Sequence, residues 1–306
     1  MNMSIGLFNE IDQIINIDIN GRKNRELYLS AKKSTSLCLE AAEIIVKSIK
    51  SDATVFIASG FPIIPNIKPE TDEPIGAIIL AKALEKLNVR TFFITDDLSK
   101  DLHVALAKEA EVEYNDIICI PTDHSAALKS CQVALLEHKP IFLVAVERPS
   151  INQNDTYCNM NGEDVSSYVG EIDYMFNKAL EKNILTIGVG DGGNEIGMGN
   201  IYKSITHILP LGNIIASKTR TTSLVVSTVS NWGVYGIAAA LSILTGSQLM
   251  HDANFEKHFI ETCIRSCAVD GISKKSSCSV DGLPSDFHGH IVEILNYLVM
   301  RSISQN

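Results

Sequence analysis

An apolar strand that runs directly into a glycine-rich loop dominates this 306-residue sequence. Residues 184–200 read ILTIGVGDGGNEIGMGN, in which uncharged, β-prone residues are followed by closely spaced glycines. A strand of this kind suits the middle of a parallel sheet, where both faces are buried. Glycine permits positive φ and lets the backbone come close to a ligand. Asp191 and Glu195 are thereby placed at the carboxyl end of a parallel strand, where open α/β sheets bind ligands.

Three kinds of site could use this loop, and the first is a dinucleotide site. Residues 188–193, GVGDGG, satisfy the pattern G-x-G-x-x-G. The usual context is missing, because two more glycines follow where a helix should open and no acidic residue ends a strand about 20 residues further on. Asp191 would also repel a pyrophosphate. We therefore predict no nucleotide cofactor.

The second kind is a phosphatase of the haloacid dehalogenase type, whose magnesium loop resembles GDGGNEIGM at residues 190–198. Such enzymes need an aspartyl nucleophile in a D-x-D-x-T motif after an early strand, and this sequence has no such motif. The third is a site in which Asp191 and Glu195 bind a divalent cation or a substrate ammonium, with carboxylates from elsewhere in the chain. A tight turn with incidental acids is the purely structural alternative.

The alternation of strands and helices predicts an α/β fold with three layers, in which a mostly parallel sheet has helices on both faces. Strands are expected at residues 53–58, 89–95, 116–121, 141–146, 184–189, 213–217 and 224–229. Helices are expected over 26–50 and 163–182, among others. No repeat or linker interrupts the pattern. Residues 1–306 are therefore predicted to form a single α/β domain with a leading N-terminal helical segment over about residues 1–50.

Acidic residues follow four of the predicted strands. In chain order these strand ends carry Glu70, Thr71 and Asp72, then Asp96 and Asp97, then Glu147 and Arg148, then Asp191 and Glu195. Parallel strands end at one edge of the sheet, and acids gathered there cannot all ionise without a compensating cation. Mg²⁺ and Mn²⁺ prefer carboxylate oxygens. The predicted metal ligands are Glu70, Asp72, Glu147, Asp191 and Glu195, although each acid alone would also serve as a loop charge or a helix cap.

Composition and charge exclude several classes of function. The net charge is −10 with no basic stripe, which argues against nucleic acid as a partner. No uncharged apolar run reaches the length of a membrane span, and the N-terminus lacks the basic region of a signal peptide. We expect a cytoplasmic protein that binds a small-molecule substrate, does not associate with membranes and forms a homo-oligomer.

A strand-to-helix junction and a pair of Asp-Gly turns also carry predictions. Residues 227–233 hold the only tryptophan at a strand-to-helix junction, where Asn231 and Trp232 are candidates to line a pocket. A helix cap is the structural alternative at this junction. Two Asp-Gly turns, at residues 268–271 and 280–283, flank a tip rich in lysine and serine. These turns predict a surface hairpin rather than a catalytic element.

Taken together, these motifs resemble those of the D-glutamate cyclase family, in its C-terminal-type domain, formerly a domain of unknown function. The runs that carry the resemblance, between about residues 59 and 283, are GF…KPETDEPIGA, ERPS, GVGDGGNEIGMG, VSNWG and AVDG…SVDGL. The combination is far more specific than any one of them. The chain departs from the usual pattern at Glu73 and at Ser150, where glycine is common in the family.

The resemblance implies a hydro-lyase that converts D-glutamate to 5-oxo-D-proline and water. In this reaction the α-amine attacks the γ-carboxyl carbon of the same molecule, so a nearby carboxylate must accept a proton and the γ-carboxylate must be neutralised. The predicted catalytic residues are Glu195, Asp72 and Asp191. The predicted substrate-binding residues are Arg148 as a clamp for the α-carboxylate, Gly192 and Gly193 as backbone donors to the oxyanion, and Asn194, Thr71, Asn231 and Trp232.

Two other functions stay open at this point. A Mg²⁺- or Mn²⁺-dependent phosphatase would use the same acids with an activated water, and a non-enzymatic protein would bind an amino acid or a metal in an acidic pocket. A phosphate site would need basic residues near the loop, for which only Arg148, Lys68 and Lys218 are candidates. This scarcity favours the cyclase. Nothing in the sequence itself selects D-glutamate over L-glutamate.

Overall fold

A six-stranded parallel sheet forms the centre of the computed structural model, which describes residues 2–50, 53–112 and 117–304. In chain order the strands are β1 (Thr54–Ala58), β2 (Pro62–Ile63), β3 (Lys68–Pro69), β4 (Arg90–Thr95), β5 (Ile117–Cys119), β6 (Phe142–Val146), β7 (Leu185–Gly190), β8 (Ser223–Val226), β9 (Ser279–Val280) and β10 (Leu283–Pro284). The sheet order is β5-β4-β1-β6-β7-β8, and every neighbouring pair is parallel. The pairs β2–β3 and β9–β10 are separate antiparallel ribbons.

Helices cover both faces of the sheet. They are α1 (Asn2–Ile14), α2 (Asn24–Ala31), α3 (Leu37–Ser48), α4 (Pro74–Lys86), α5 (Asp97–Glu109), α6 (His124–His138), α7 (Asp173–Glu181), α8 (Tyr202–Ile208), α9 (Gly212–Ile215), α10 (Ser230–Thr245), α11 (Ala253–Arg265) and α12 (Ser285–Ile303). Val55 and Ile57 of β1 join the core formed with α3, α4 and α10, whereas Phe56 and Ala58 join the core formed with α6 and α7. This alternation confirms the predicted three-layer α/β fold. Among the described helices, none is both long and apolar enough to cross a bilayer.

The helix expected over residues 26–50 is two helices, α2 and α3. The break has a capping cause, because the Ser36 side chain accepts a hydrogen bond from the backbone N–H of Leu39 at the start of α3. The buried carboxylate of Asp12 also accepts hydrogen bonds from the N–H groups of Leu37 and Cys38. These acceptors satisfy donors that a continuous helix would have used internally, so the chain turns here.

Two other predicted elements are wrong. Residues 213–217 form no strand, because α9 occupies most of this range and Ser217 ties back to the glycine-rich loop through the Gly193 carbonyl. The helix expected over 163–182 begins only at Asp173, because Asp164 pairs with Cys158 in an isolated β-bridge and a short 3-10 helix, Ser166–Tyr168, follows it. The predicted strand at 116–121 corresponds to β5, and its first residue lies outside the described residues.

The carboxyl edge of the sheet is covered by a segment from the N-terminal region, residues 16–24. Its side-chain amides tie it to three distant loops. Asn16 donates to the carbonyl of Val226, and Asn24 donates to the carbonyls of Asp191 and Ser227. Asn20 donates to the carbonyl of Asp281 in the β9–β10 turn. The carboxyl edge of the sheet, where ligands are expected, is therefore covered by residues from both ends of the sequence.

Candidate active site

Buried carboxylates gather at the carboxyl edge of the sheet, as the sequence predicted. Two sets of three side chains each place carboxylate oxygens within 4.8 Å of one another. The first set is Asp72, Asp191 and Asp281, and the second is Glu147, Asp191 and Glu195. Asp191 belongs to both sets. Glu70, the remaining predicted metal ligand, is in neither set, although it lines the adjoining cavity.

Asp281 is the acid that sequence reasoning missed. The turns at residues 268–271 and 280–283 were expected on the surface, but Asp281 is only 3% exposed and Asp270 is fully buried. The hairpin is drawn in because Val269 exchanges backbone hydrogen bonds with Pro69 and Thr71, next to β3. The surface hairpin is therefore confirmed for the tip between the turns, where Ile272, Ser273 and Lys275 are exposed, and is wrong for Asp270 and Asp281. The apolar residues that flank the second Asp-Gly turn were its only signal of burial.

Asp72 is held by the N-terminus of α10. Its two carboxylate oxygens accept hydrogen bonds from the backbone N–H groups of Ser230 and Asn231, each at 2.8 Å. The Ser230 hydroxyl donates to Glu147 at 2.5 Å. Asp72 therefore satisfies two backbone donors that an α-helix leaves open at its start, whereas Glu147 binds the side chain of the first helical residue. The capping function that the sequence allowed for Asp72 is present, but on α10 rather than on its own helix.

Three predicted substrate-binding residues form hydrogen bonds near the site without lining its cavity. The Asn231 amide donates to the Thr71 carbonyl and its oxygen accepts from the Gly76 N–H. The Thr71 hydroxyl donates to the Ser279 carbonyl. Trp232 is fully buried, and its indole N–H donates to His288 at 2.9 Å. None of the three lines the cavity beside the acids.

The glycine-rich loop is closed on itself by Glu195. The backbone N–H groups of Gly192 and Gly193 donate to its carboxylate oxygens at 2.6 and 2.8 Å. Gly193 has a φ of 98°, a value that favours glycine. The two N–H groups that the sequence assigned to an oxyanion are thus already occupied. Asn194 does line the cavity, and its amide donates to the Cys158 carbonyl.

Arg148 does not reach the cavity. Its fully buried guanidinium pairs with Asp96 at 2.7 Å and donates to the carbonyls of Gly60 and Gly170. Arg148 thereby connects three loops, those that contain Asp96, Gly60 and Gly170. The structure does not bring Arg148 together with the other predicted substrate-binding residues.

Arg22 supplies the positive charge at the site instead. It pairs with Asp281 at 2.5 Å and with Asp191 at 3.2 Å, and its side chain is 21% exposed. No motif surrounds this residue, so sequence reasoning missed it. Its place depends on the neighbouring asparagines, Asn20 and Asn24, which anchor the covering segment on the two acidic loops.

An open cavity of about 210 Å³ adjoins the acids. Its charged lining consists of Arg22, Glu70, Glu147, Lys274 and Asp281, and its polar lining includes Asn159, Asn161 and Asn194, together with apolar side chains such as Phe61 and Met160. Sites for drug-sized ligands measure ~300–1,000 Å³, so this cavity suits a smaller metabolite. A larger cavity of about 700 Å³, between α4 and α12, contains none of the clustered acids.

Burial raises the pKa of several carboxyl groups in the cluster. The pKa of Asp72 rises to about 8, through burial first and then through the neighbouring charge of Asp281. Burial also raises the pKa values of Glu70, Glu147 and Asp191 well above the usual range. One guanidinium does not balance so many buried acids. The site therefore either retains protons or takes up a further cation.

This charge balance predicts a pH-dependent stability in the presence of a chelator. The folded pKa of Asp72, about 8, lies above its unfolded value, which is about 4. Its contribution to stability is thus complete below pH ~4 and is lost as the pH rises through about 8. We expect the unfolding temperature to fall by several degrees between pH 6.5 and 8.5, measured by calorimetry.

The Asp72→Asn protein, measured in the presence of the same chelator, serves as the control. Its unfolding temperature should fall less steeply with pH. The buried histidines His103 and His288 act in the opposite direction, because burial lowers their pKa values and their contribution to stability therefore rises as the pH passes the unfolded value of about 6.5. An unfolding temperature that stays constant over this range would contradict the charge balance described here.

Comparison with known proteins decides the family. The family profile described as "D-glutamate cyclase-like, C-terminal" matches residues 11–296. The chain belongs to this family. It is 28% identical over 325 residues to the human protein named D-glutamate cyclase, mitochondrial. The alignment covers 95% of this chain and 51% of the human protein. The D-glutamate cyclase-like chain thus spans about half the length of this curated relative.

Among solved structures, the actinorhodin polyketide ketoreductase with NADPH aligns with 81% of this D-glutamate cyclase-like chain and with 90% of its own. The sequence identity is 12% and the TM-score is 0.32. A likeness of this size carries no argument about function.

The two positions where this D-glutamate cyclase-like chain departs from the usual pattern lie beside the cavity rather than in it. Glu73 is fully buried with a φ of 97°, a backbone conformation in which glycine is easily accommodated. Ser150 donates to Asp173 and accepts from the Ser217 hydroxyl. Neither Glu73 nor Ser150 lines the cavity, so the departures alter its support and leave its lining unchanged.

Proposed function

We propose that the acidic cavity converts D-glutamate to 5-oxo-D-proline and water, with the help of Mn²⁺ or Mg²⁺. The observation that carries the proposal is Asp191, which is shared by two sets of carboxylates and pairs with Arg22 beside a small cavity. Family membership supports the reaction. The human relative carries the name of this activity.

The reaction balances without an external reagent. The amine nitrogen bonds to the γ-carboxyl carbon, and one γ-oxygen leaves as water with two protons that the ammonium group gives up. Glu70 lines the cavity and belongs to neither set of clustered carboxylates, so a bound cation would leave it free. Its carboxylate can therefore accept the first proton. Holding glutamate folded supplies much of the remaining rate enhancement.

The second set of acids fits a divalent cation best. Glu147, Asp191 and Glu195 provide three carboxylates within 4.8 Å of one another, the donor type that Mg²⁺ and Mn²⁺ prefer. In the first set, Asp191 and Asp281 already pair with Arg22. A cation bound by the second set would neutralise the γ-carboxylate and make its carbon easier to attack. Arg22 adds a fixed positive charge next to Asp191.

The direct test is to incubate the purified protein with D-glutamate, with and without Mn²⁺, and to measure 5-oxoproline by chromatography. We expect product from D-glutamate, little from L-glutamate, and a loss of activity in chelator that Mn²⁺ restores. Calorimetric titration of the chelated protein should show Mn²⁺ binding. Equal rates on both enantiomers would contradict the proposal.

A phosphatase is the second candidate, because Arg22 and Lys274 give the cavity the basic residues that the sequence did not reveal. Hydrolysis of a phosphate ester without cyclisation of D-glutamate would favour it. A small-molecule substrate, the absence of nucleic acid and membrane partners, a cytoplasmic location and a homo-oligomer remain predictions.

A further inference from the structure

Lys274 is a second cation at the cavity, and among the residues that the structure describes no buried acid forms an ion pair with it. It lines the cavity together with Arg22, and its side chain is 35% exposed. Its ion-pair partner is the half-exposed Glu163, at a distance of 4.0 Å. Exposed pairs of this kind contribute little to stability. Arg22, by contrast, is held by Asp191 and Asp281, so Lys274 is the more available charge for an anionic ligand.

The backbone around Lys274 is firmly braced by Asp270. The carboxylate of Asp270 accepts hydrogen bonds from the N–H groups of Ile272, Ser273 and Gly282. The N–H of Lys274 donates to the Asp270 carbonyl at 2.8 Å. Lys274 itself has a φ of 58°, which is uncommon for a residue with a side chain. Strained positions that are held so firmly are often functional.

The charges of the cavity match those of an amino acid with two carboxylates. The cations are Arg22 and Lys274, and the lining acids are Glu70, Glu147 and Asp281. Glutamate brings two anionic groups and one ammonium group. The γ-carboxylate, which reacts, belongs next to the clustered acids and Arg22, because the base and the metal ligands are there. The α-carboxylate, which does not react, then lies towards the more exposed Lys274.

We propose that Lys274 is a specificity-determining residue that binds the α-carboxylate of the substrate. This inference rests on the proposed function, because it assumes that an acidic amino acid occupies the cavity. The contact would be equal in the ground state and in the transition state, since the α-carboxylate keeps its charge throughout the cyclisation. Lys274 therefore contributes to KM and has little effect on kcat.

The test compares D-glutamate with D-isoglutamine, in which an amide replaces the α-carboxylate and the reacting γ-carboxylate is retained. We expect Lys274→Met to raise KM for D-glutamate by roughly 10-fold or more, the scale of a lost charge-assisted contact, and to change kcat less than about 3-fold. KM for D-isoglutamine should be the same in the parent and in the variant. Lys275→Met is the matched control, because Lys275 is an exposed neighbour that does not line the cavity.

Several outcomes overturn the inference. They are an unchanged KM for D-glutamate, an equal increase for both substrates, and an equal effect of Lys275→Met. Calorimetric binding of D-glutamate separates this inference from the proposed function. Binding that depends on Lys274 without any product would overturn the proposed reaction alone. Product formation with a KM that does not depend on Lys274 would overturn the present inference alone, and the absence of both binding and product would overturn both.

Discussion

Asp191→Asn is expected to abolish Mn²⁺ binding and to lower the rate of D-glutamate cyclisation by at least about 100-fold, because a cation that acts as a Lewis acid stabilises the transition state by several kcal/mol. Asp191 is shared by both sets of carboxylates and pairs with Arg22. Asparagine has nearly the same shape but carries no charge, so it weakens the metal site and frees the guanidinium. Turnover assays and calorimetric titration with Mn²⁺ measure the two effects.

Asp286→Asn is the matched control for Asp191→Asn. The Asp286 side chain is 74% exposed and contacts Lys257, so its replacement should leave turnover and Mn²⁺ binding unchanged. If Asp191→Asn binds Mn²⁺ as tightly as the parent protein, the proposed metal site is wrong. If turnover also remains near normal, Asp191 has no part in the reaction.

Glu195→Gln is expected to lower turnover by more than about 100-fold and also to lower the unfolding temperature. A purely catalytic side chain would face the pocket, and its replacement would leave folding unaffected. The carboxylate instead accepts the N–H groups of Gly192 and Gly193. Glutamine has one acceptor oxygen, so one buried N–H would lose its partner, at a cost of about 1–3 kcal/mol.

Thermal unfolding and turnover of Glu195→Gln should be measured together, with Glu137→Gln as the control on the exposed face of α6. A variant that keeps its unfolding temperature would show that the hydrogen bonds of the loop matter less than their geometry implies. A variant that keeps normal turnover would remove Glu195 from the mechanism and leave Asp72 as the next candidate.

The part of the site that could be predicted from the sequence is the part encoded locally. The glycine-rich loop follows its strand directly, so Asp191 and Glu195 could be placed at the end of β7 from the spacing alone. Glu147 follows β6 in the same way. Parallel topology then brings these strand ends together without any knowledge of packing.

The remaining part depends on contacts between distant segments, which leave no local pattern. Arg22 and Asp281 are separated by 259 residues and still form an ion pair. Arg148 follows β6 as predicted, but Asp96 from the end of β4 captures its charge. A sequence pattern shows which residue types reach the edge of the sheet. It does not show which of them neutralise one another before a ligand arrives.

The covering segment, residues 16–24, has a consequence for when the acidic cluster is completed during synthesis. Ribosomes release the chain from its N-terminus, so Arg22 is present long before Asp281 has been made. Asp191 can pair with Arg22 meanwhile, but Asp281, the second partner of the guanidinium, is still missing. The ion pairs of Arg22 are complete only when both ends of the chain have docked. A chain that stops before the hairpin would leave Arg22 without Asp281 and the helices α10 and α11 without α12.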